Sequence, residues 1–170
     1  VERLEIDEQD EVVKKKSIIK ANVEIDKLLY TIKLNKNKLP KMSEEKKDLY
    51  LALFLDTLLS PTSDFYERNF ENNTFKAFEA YRQDFNNFAL LSIIADTNKT
   101  DDLIKEIEEA IKGIPDEKTF ERKKKVYIAD TIAGSTSEFY MSGYIDGQLI
   151  SYNKVLYDAI DILKSLNYKE

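Results

Sequence analysis

The feature of this sequence that most constrains its fold is an almost continuously apolar run from Phe88 to Ala95. Its eight residues read Phe-Ala-Leu-Leu-Ser-Ile-Ile-Ala and contain one polar side chain, that of Ser92. A short run that is apolar on both sides is typical of a strand that lies between two neighbours in a sheet. We therefore expect residues 88–95 to form the central strand of a sheet.

Other segments predict the neighbours of this strand. In Leu28–Asn35 apolar and polar residues alternate, which indicates a strand with one buried face. Thr74–Arg82 and Asn86–Ala95 are predicted to form a hairpin that turns at Gln83-Asp84-Phe85. Val12–Lys20 is rich in β-branched residues and lysine, and we expect it to be an edge strand.

Six helices are predicted from the spacing of apolar residues and from their end signals. The first follows the N-cap Ser43, is apolar over most of its surface as far as Leu59, and ends at Ser60-Pro61. We expect it to be deeply buried. The others are a short helix at Asp64–Phe70, one capped by Thr100 or Asp101 that stops at Gly113 and Pro115, one capped by Asp116 that breaks at Gly134-Ser135, and helices at Ser137–Ile150 and Tyr152–Leu166.

These elements predict an α+β fold with a β-α-β-β-α-α core. The simplest packing is a two-layer α/β sandwich, in which a mostly antiparallel sheet carries helices on one face. With 170 residues, we expect a loose lead-in over residues 1–11 and one domain over residues 12–170. Because the chain opens with Val1, we also expect it to be a fragment of a longer protein, with a processed mature chain as the alternative.

Composition excludes several classes of function. A net charge of −6 argues against a nucleic-acid partner, and we expect the basic triplets Lys14–Lys16 and Lys123–Lys125 to be solvated surface. Because there is no cysteine, disulfides and thiol catalysis are excluded. No apolar run is long enough to span a membrane and no signal-like segment opens the chain, so we expect a cytoplasmic protein.

Four local motifs, in this order, resemble the insulinase (pitrilysin) superfamily of zinc peptidases, which includes mitochondrial processing peptidase. Leu58–Glu67 is similar to a helix end at which Ser-Pro and an aromatic residue lead into a short helix. Phe88–Asp96 is similar to the central strand, and Asp116–Lys125 to the start of the long helix. Ser135–Phe139 is similar to the break that follows, although the usual proline is absent. The resemblance covers residues 12–168.

Within this superfamily the chain most resembles the bacterial processing-peptidase-like proteins associated with modification of elongation factor P. In such proteins an N-terminal half carries a zinc motif, His-x-x-Glu-His, and a C-terminal half closes the peptide chamber. Because this chain has no histidine, it resembles the C-terminal half. The resemblance implies no cofactor in this chain, with zinc possible in an N-terminal half. It implies that half or a homologous subunit as a partner in a homo- or heterodimer, and a peptide as substrate.

The residues themselves indicate no catalytic group and no metal ligand. Zinc sites are built mainly from histidine and cysteine, and the chain has neither. It has 32 acidic residues, so adjacent carboxylates arise by chance and none is assigned an acid–base role. We expect the chain alone to bind no zinc and to cleave no peptide.

Arg82 is the one site residue that the resemblance implies. In many members the C-terminal half supplies an Arg and a Tyr near this strand pair, and both bind the substrate carbonyl as its oxygen becomes negative. Arg82 lies six residues before Phe88, near the position of that Arg. The Tyr has no counterpart, because Phe85 and Phe88 follow and Tyr81 points to the opposite face of the strand. If Arg82 binds substrate, its guanidinium should be free and its replacement should hardly affect folding. The alternative is a solvated hairpin arginine.

Three functions remain open at this point. The first is a non-catalytic C-terminal domain that closes the peptide chamber of a zinc-peptidase-like protein and holds its substrate. The second is a pseudoenzyme or interaction domain that partners an active homologue, and the third is a free-standing structural domain. Four aromatic residues could line a peptide groove, although their helical spacing favours the core: Tyr127, Phe139, Tyr140 and Tyr144.

Overall fold

The computed structural model describes residues 9–85 and 87–169. Over these residues the chain forms one antiparallel sheet with helices packed on one face, so the predicted α+β class is confirmed. The elements are β1 (Lys27–Asn35), a 3₁₀ turn (Lys36–Lys38), α1 (Glu44–Leu59), α2 (Asp64–Glu71), β2 (Ala77–Asp84), β3 (Phe88–Asp96), α3 (Thr100–Lys112), α4 (Glu117–Gly134), α5 (Glu138–Tyr152) and α6 (Ala159–Ser165).

The sheet has the strand order β1-β3-β2, and β3 pairs antiparallel with both neighbours. Asp96 lies opposite Lys27 of β1 and opposite Ala77 of β2. The prediction of a central strand is confirmed, since Leu91 and Ile93 are 2% and 0% exposed. An apolar strand belongs in the centre because both of its edges are then hydrogen-bonded and shielded by protein.

The main core lies between the sheet and the first three helices. Successive side chains of a strand point to opposite faces, so the register places Leu28 of β1, Ala95 of β3 and Phe78 of β2 on one face. The buried residues of this core are Leu28, Leu55, Leu59, Phe65, Phe75, Leu91, Ile93, Ala95, Leu103 and Ile107. The other face of the sheet stays open, and Leu29 there is 65% exposed.

Helix α1 is buried on two sides, as its composition predicts. Leu55 and Leu59 belong to the core against the sheet, whereas Leu53 joins a second core formed with α4, α6 and the residues that follow α6. The Ser43 hydroxyl accepts the Lys46 N–H at its start. Although α1 is apolar on both sides, none of the described helices is both long enough and apolar enough to cross a membrane.

The predicted joint between α4 and α5 is confirmed. Asp116 accepts the Thr119 N–H at the start of α4, and Ser137 accepts the Tyr140 N–H at the start of α5. Between the helices the ring of Tyr140 lies against Gly134, so a Cβ atom at that glycine would come within 2.5 Å of the ring. A glycine therefore allows the two helices to turn tightly at this point.

The predicted edge strand at Val12–Lys20 is wrong. The chain there has no regular structure, and Val13 and Ile19 are 104% and 87% exposed. β-propensity stabilises a strand only when a neighbour completes its hydrogen bonds, and no described strand pairs with this segment. Of the predicted lead-in, residues 1–8 lie outside the described residues.

Two helix ends also differ from the prediction. Helix α3 begins at Thr100, so its N-cap is Lys99 rather than Thr100 or Asp101, and this cap makes no side-chain hydrogen bond. The last helix is Ala159–Ser165, shorter than Tyr152–Leu166. Asn153 ends α5 in the left-handed conformation, with φ at 56°, which separates the two helices.

Leu55→Asp is expected to abolish cooperative folding, because it places an unpaired charge between α1 and the sheet at a cost of several kcal/mol. Leu29→Asp makes the same chemical change at an exposed position and should leave a folded chain. Urea unfolding followed by circular dichroism measures both. A cooperative transition of normal midpoint in Leu55→Asp would contradict this core assignment.

Candidate functional site

A groove of about 380 Å³ lies along the outer edge of β2, between this strand and helices α1 and α4. Five consecutive residues of β2, Phe78–Arg82, line it, so the edge of the strand, and not only one face, borders the groove. The remaining lining residues are Ala52, Leu55, Asp56, Leu59, Ser60, Pro61 and Tyr127.

The outer edge of β2 carries backbone groups that point toward this groove. Among the described residues β2 pairs only with β3. The Phe85 N–H bonds to the Phe88 carbonyl over 2.9 Å, and hydrogen-bonded positions alternate along an antiparallel strand. Glu79, Tyr81 and Gln83 therefore bond to β3, whereas Ala80 and Arg82 direct their N–H and C=O groups outward. An extended chain lying in the groove could complete these bonds.

The side chain of Arg82 lies on the helix-covered face of the sheet and forms an ion pair with Asp84. Its Nε atom is 2.7 Å from Asp84 Oδ2, and only 21% of the side chain is exposed. Arg82 is therefore not a solvated hairpin arginine, and its contribution to stability stays a prediction. Arg82 lines the groove but is not free, and its contact with a substrate stays a prediction.

Two atoms of this ion pair are buried without a hydrogen bond to any described residue. They are Nη1 of Arg82 and Oδ1 of Asp84. Burial raises the pKa of Asp84, the Arg82 guanidinium opposes this shift, and Asp48 adds to it. These two unsatisfied atoms reduce the net stabilisation that the ion pair gives to the fold, because a buried charge with an unmade hydrogen bond is costly.

A second buried ion pair lies beside the first. Lys36 Nζ is 2.8 Å from Asp48 Oδ1, and the two side chains are 4% and 2% exposed. Tyr152 donates its hydroxyl to Asp48 Oδ2 over 2.9 Å. Burial would lower the pKa of Lys36, but the hydrogen bonds and charges of Asp48 and Glu44 together outweigh burial and raise it. Burial and Asp48 also raise the pKa of Tyr152. This network joins the end of β1, α1 and the end of α5.

Tyr127 of α4 is one of the four aromatic residues that the sequence offered as possible groove residues, although helical spacing favoured the core. It lines the groove together with Arg82, and its hydroxyl has no hydrogen bond to any residue that the structure describes. Burial raises its pKa, Asp56 adds to the shift and Arg82 opposes it. The groove thus contains a tyrosine near Arg82, but it comes from a helix 45 positions along the chain. No local motif connects two such positions.

Lys123 and Asp56 lie at the side of the groove formed by α1 and α4. Lys123 is only 8% exposed, so its predicted place on a solvated face is wrong. Its Nζ atom is 2.9 Å from Asp56 Oδ2 and donates to the Ser60 hydroxyl over 2.9 Å. These bonds fix α4 against the C-terminal end of α1. The other basic triplet, Lys14–Lys16, is exposed as predicted.

The groove offers hydrogen bonds and ion pairs rather than a metal centre. Within residues 9–85 and 87–169, no three His, Cys, Asp or Glu side chains come together in a way that could hold a metal ion. Asp56 and Asp84 are each paired with a cation. The arrangement can therefore hold a polar or extended ligand.

Comparison of the fold identifies a related architecture. The structure superposes with a TM-score of 0.72 on the crystal structure of a protein assigned as an M16-like peptidase from Alicyclobacillus acidocaldarius. The fold is that of an M16-like peptidase domain. The match covers 86% of this chain at 20% identity, and it spans 36% of the length of that peptidase chain. No protein-family model matches the sequence, and no curated protein matches it.

Arg82→Ala is expected to destabilise the fold by about 3 kcal/mol at about pH 7, because it leaves Asp84 buried without its cation. Removing Arg82 raises the pKa of Asp84 further. A carboxyl whose folded-state pKa is raised binds a proton more tightly when folded, so stability is regained as the pH falls through that pKa. The loss should therefore shrink toward about pH 5.

Urea unfolding of Arg82→Ala and of Arg82→Ala/Asp84→Ala at both pH values measures this effect. The double variant should be more stable than the single one at neutral pH and should lack its extra pH dependence, since no unpaired carboxylate remains. Equal stability of Arg82→Ala and the parent would show that the ion pair contributes nothing to the fold.

Proposed function

We propose that this chain is a non-catalytic domain that walls one side of the peptide chamber of an M16-like peptidase and holds an extended substrate. The shared fold supports the choice of protein class. The complete lack of histidine and cysteine supports a non-catalytic role, since zinc hydrolysis would need ligands from another part of the assembly. An N-terminal half or a homologous subunit would supply those ligands and the metal.

The observation that carries the proposal is the open edge of β2 along a groove. An extended peptide can add to such an edge as a further strand, with backbone hydrogen bonds for affinity and side-chain pockets for selectivity. Ala80 and Arg82 present the backbone groups, and Leu55, Leu59 and Phe78 give the groove an apolar floor. Tyr127, whose hydroxyl has no partner among the described residues, would bind a peptide carbonyl beside this strand.

The motif resemblance favours the bacterial proteins associated with modification of elongation factor P as the subgroup for this domain. It supports a second candidate as well, namely a pseudoenzyme that partners an active homologue. The exposed apolar residues of α5 favour an interaction role of this kind, since Phe139 is 93% and Ile150 is 72% exposed. The first candidate requires the groove to bind a peptide, whereas the second does not. A peptide-binding measurement therefore distinguishes them.

Ala80→Pro is the variant that tests the edge most directly. It removes an outward N–H and leaves the ladder between β2 and β3 intact, which proline on an edge strand permits. Losing one backbone hydrogen bond of about 1.4 kcal/mol should weaken binding of a short labelled peptide of alternating Val and Thr about 10-fold. Fluorescence anisotropy gives the affinity, and urea unfolding confirms that the variant is folded.

The matched control is Leu29→Pro on the other edge strand. The Lys36 N–H bonds to the Asn87 carbonyl, so alternation along β1 directs the N–H of Leu29 away from β3 as well. This variant should bind the peptide as the parent does. Tyr127→Phe, which removes only a hydroxyl, should weaken binding while stability stays the same. If Ala80→Pro and Leu29→Pro have equal affinities, or the parent binds no peptide, the groove is not a substrate site.

The purified chain is expected to take up no stoichiometric zinc and to hydrolyse no peptide, because it lacks the side chains that hold and activate a zinc-bound water. Elemental analysis after equilibration with Zn²⁺ and gel filtration measures zinc uptake. Release of amino groups from a denatured protein substrate measures peptide hydrolysis. One zinc per chain that a chelator removes would contradict the non-catalytic assignment.

A further inference from the structure

A second cavity, of about 280 Å³, lies on the other side of α1 from the groove beside β2. Its α1 residues follow helical spacing from Lys47 to Phe54, whereas Leu55 and Leu59 of the same helix line the groove. The other walls come from the loop before α1, the connection between α3 and α4, α4 itself and the C-terminal residues. Four aromatic side chains line this aromatic pocket, namely Tyr50, Phe54, Phe120 and Tyr168.

The rings of the aromatic pocket are held in place by contacts within the protein. Tyr50 and Phe120 stack with their ring centroids 6.3 Å apart, and the Tyr168 ring lies 5.9 Å from Phe120. The Tyr50 hydroxyl donates to the Asn167 carbonyl over 3.1 Å and accepts the Asn167 N–H over 2.7 Å. The pocket is therefore formed before any ligand arrives, which lowers the entropic cost of binding.

Lys47 is the one charged residue that lines the aromatic pocket, and it is only 9% exposed. An ammonium group has three N–H donors. Among the described residues, that of Lys47 donates only to Glu44, whose Oε1 atom is 2.7 Å from Nζ. A nearly buried cation with unmade hydrogen bonds gains stability from a further acceptor. Lys47 thus favours a ligand that brings an anionic oxygen into an otherwise apolar site.

We propose that the aromatic pocket binds a small aromatic carboxylate. The ring of this ligand lies among Tyr50, Phe54 and Phe120, and its carboxylate accepts hydrogen bonds from Lys47. An uncharged apolar molecule would leave the Lys47 donors unsatisfied, and a cation would be repelled. The volume of about 280 Å³ lies at the lower end of small-molecule sites, so the pocket admits one compact molecule rather than a stretch of peptide.

The charge of Glu44 permits a second carboxylate at Lys47. Its other oxygen, Oε2, lies 3.3 Å from Lys36 Nζ, so two lysines share this one carboxylate. The Glu44 side chain is also 46% exposed, and water screens the repulsion between it and a ligand.

NMR titration of the chain with cinnamate tests the proposal. Cinnamate should cause saturable shift changes in the amides of Tyr50, Leu51 and Tyr168, with a Kd on the order of 1 mM. The amides of Ala80 and Arg82 in the groove should not shift. Cinnamamide has the same shape without the charge and should bind about 10-fold more weakly, because a charge-assisted hydrogen bond is replaced by a neutral one.

Lys47→Met removes the cation and keeps the length of the side chain. It should lower the affinity for cinnamate about 10-fold and abolish the preference for cinnamate over cinnamamide. Urea unfolding should show a folded variant, because Glu44 keeps its pairing with Lys36. Lys41→Met is the matched control, since it removes the same charge at an exposed position between two pocket residues and should bind as the parent does.

Ile114→Ala gives a test that does not alter any charge or buried residue. It shortens an 84% exposed side chain at the pocket and should weaken both probes several-fold in a stably folded chain. The absence of saturable binding to the parent, shifts confined to the groove, or equal cinnamate affinity of Lys47→Met and the parent would each overturn the proposal.

Discussion

The position of Asp48 inside the protein is the constraint on which the arrangement of the elements depends. This carboxylate lies on α1, is 2% exposed, and binds Lys36 at the end of β1 and Tyr152 at the end of α5. Removing Lys36 would leave a buried charge that costs several kcal/mol, and removing the Tyr152 hydroxyl would leave a buried carboxylate oxygen without its hydrogen bond. The three elements are therefore held together at this point. The Arg82–Asp84 pair, with both residues on β2, lies beside it. Apolar side chains form the two cores, and the bonds of Asp48 join specific elements to one another.

The open groove follows from this arrangement. With only three described strands, the sheet has an exposed edge at β2, and α1 and α4 stand beside that edge because Lys123 and Asp56 join them. An edge strand with unpaired backbone groups can pair with other chains and aggregate, so proteins normally cover such an edge or place charged side chains on it. Here it borders a cavity with a tyrosine and a paired arginine, so the same feature can serve to bind a peptide.

Much of the fold could be predicted because local rules decide it. Apolar periodicity located β1 and β3, and side-chain caps at Ser43 and Asp116 located the helix starts. The buried ion pairs of Lys123 and Asp48 could not be predicted, since both look like surface residues until the fold brings their partners to them. Tyr127 was named as a possible groove residue, but its helical spacing favoured the core, and no local motif placed it near Arg82. The strand prediction for Val12–Lys20 is wrong for the opposite reason. The residues there favour a strand, but no described strand pairs with them.

Amide hydrogen exchange along β2 tests the central claim, that this strand offers its backbone to a peptide. Measured by NMR on the purified chain, the amides of Ala80 and Arg82 should exchange fast and those of Tyr81 and Gln83 slowly, since only the second pair bonds to β3. An added extended peptide should then protect Ala80 and Arg82. Equal protection of all four amides in the free chain, or no change at Ala80 and Arg82 with peptide, would contradict the account.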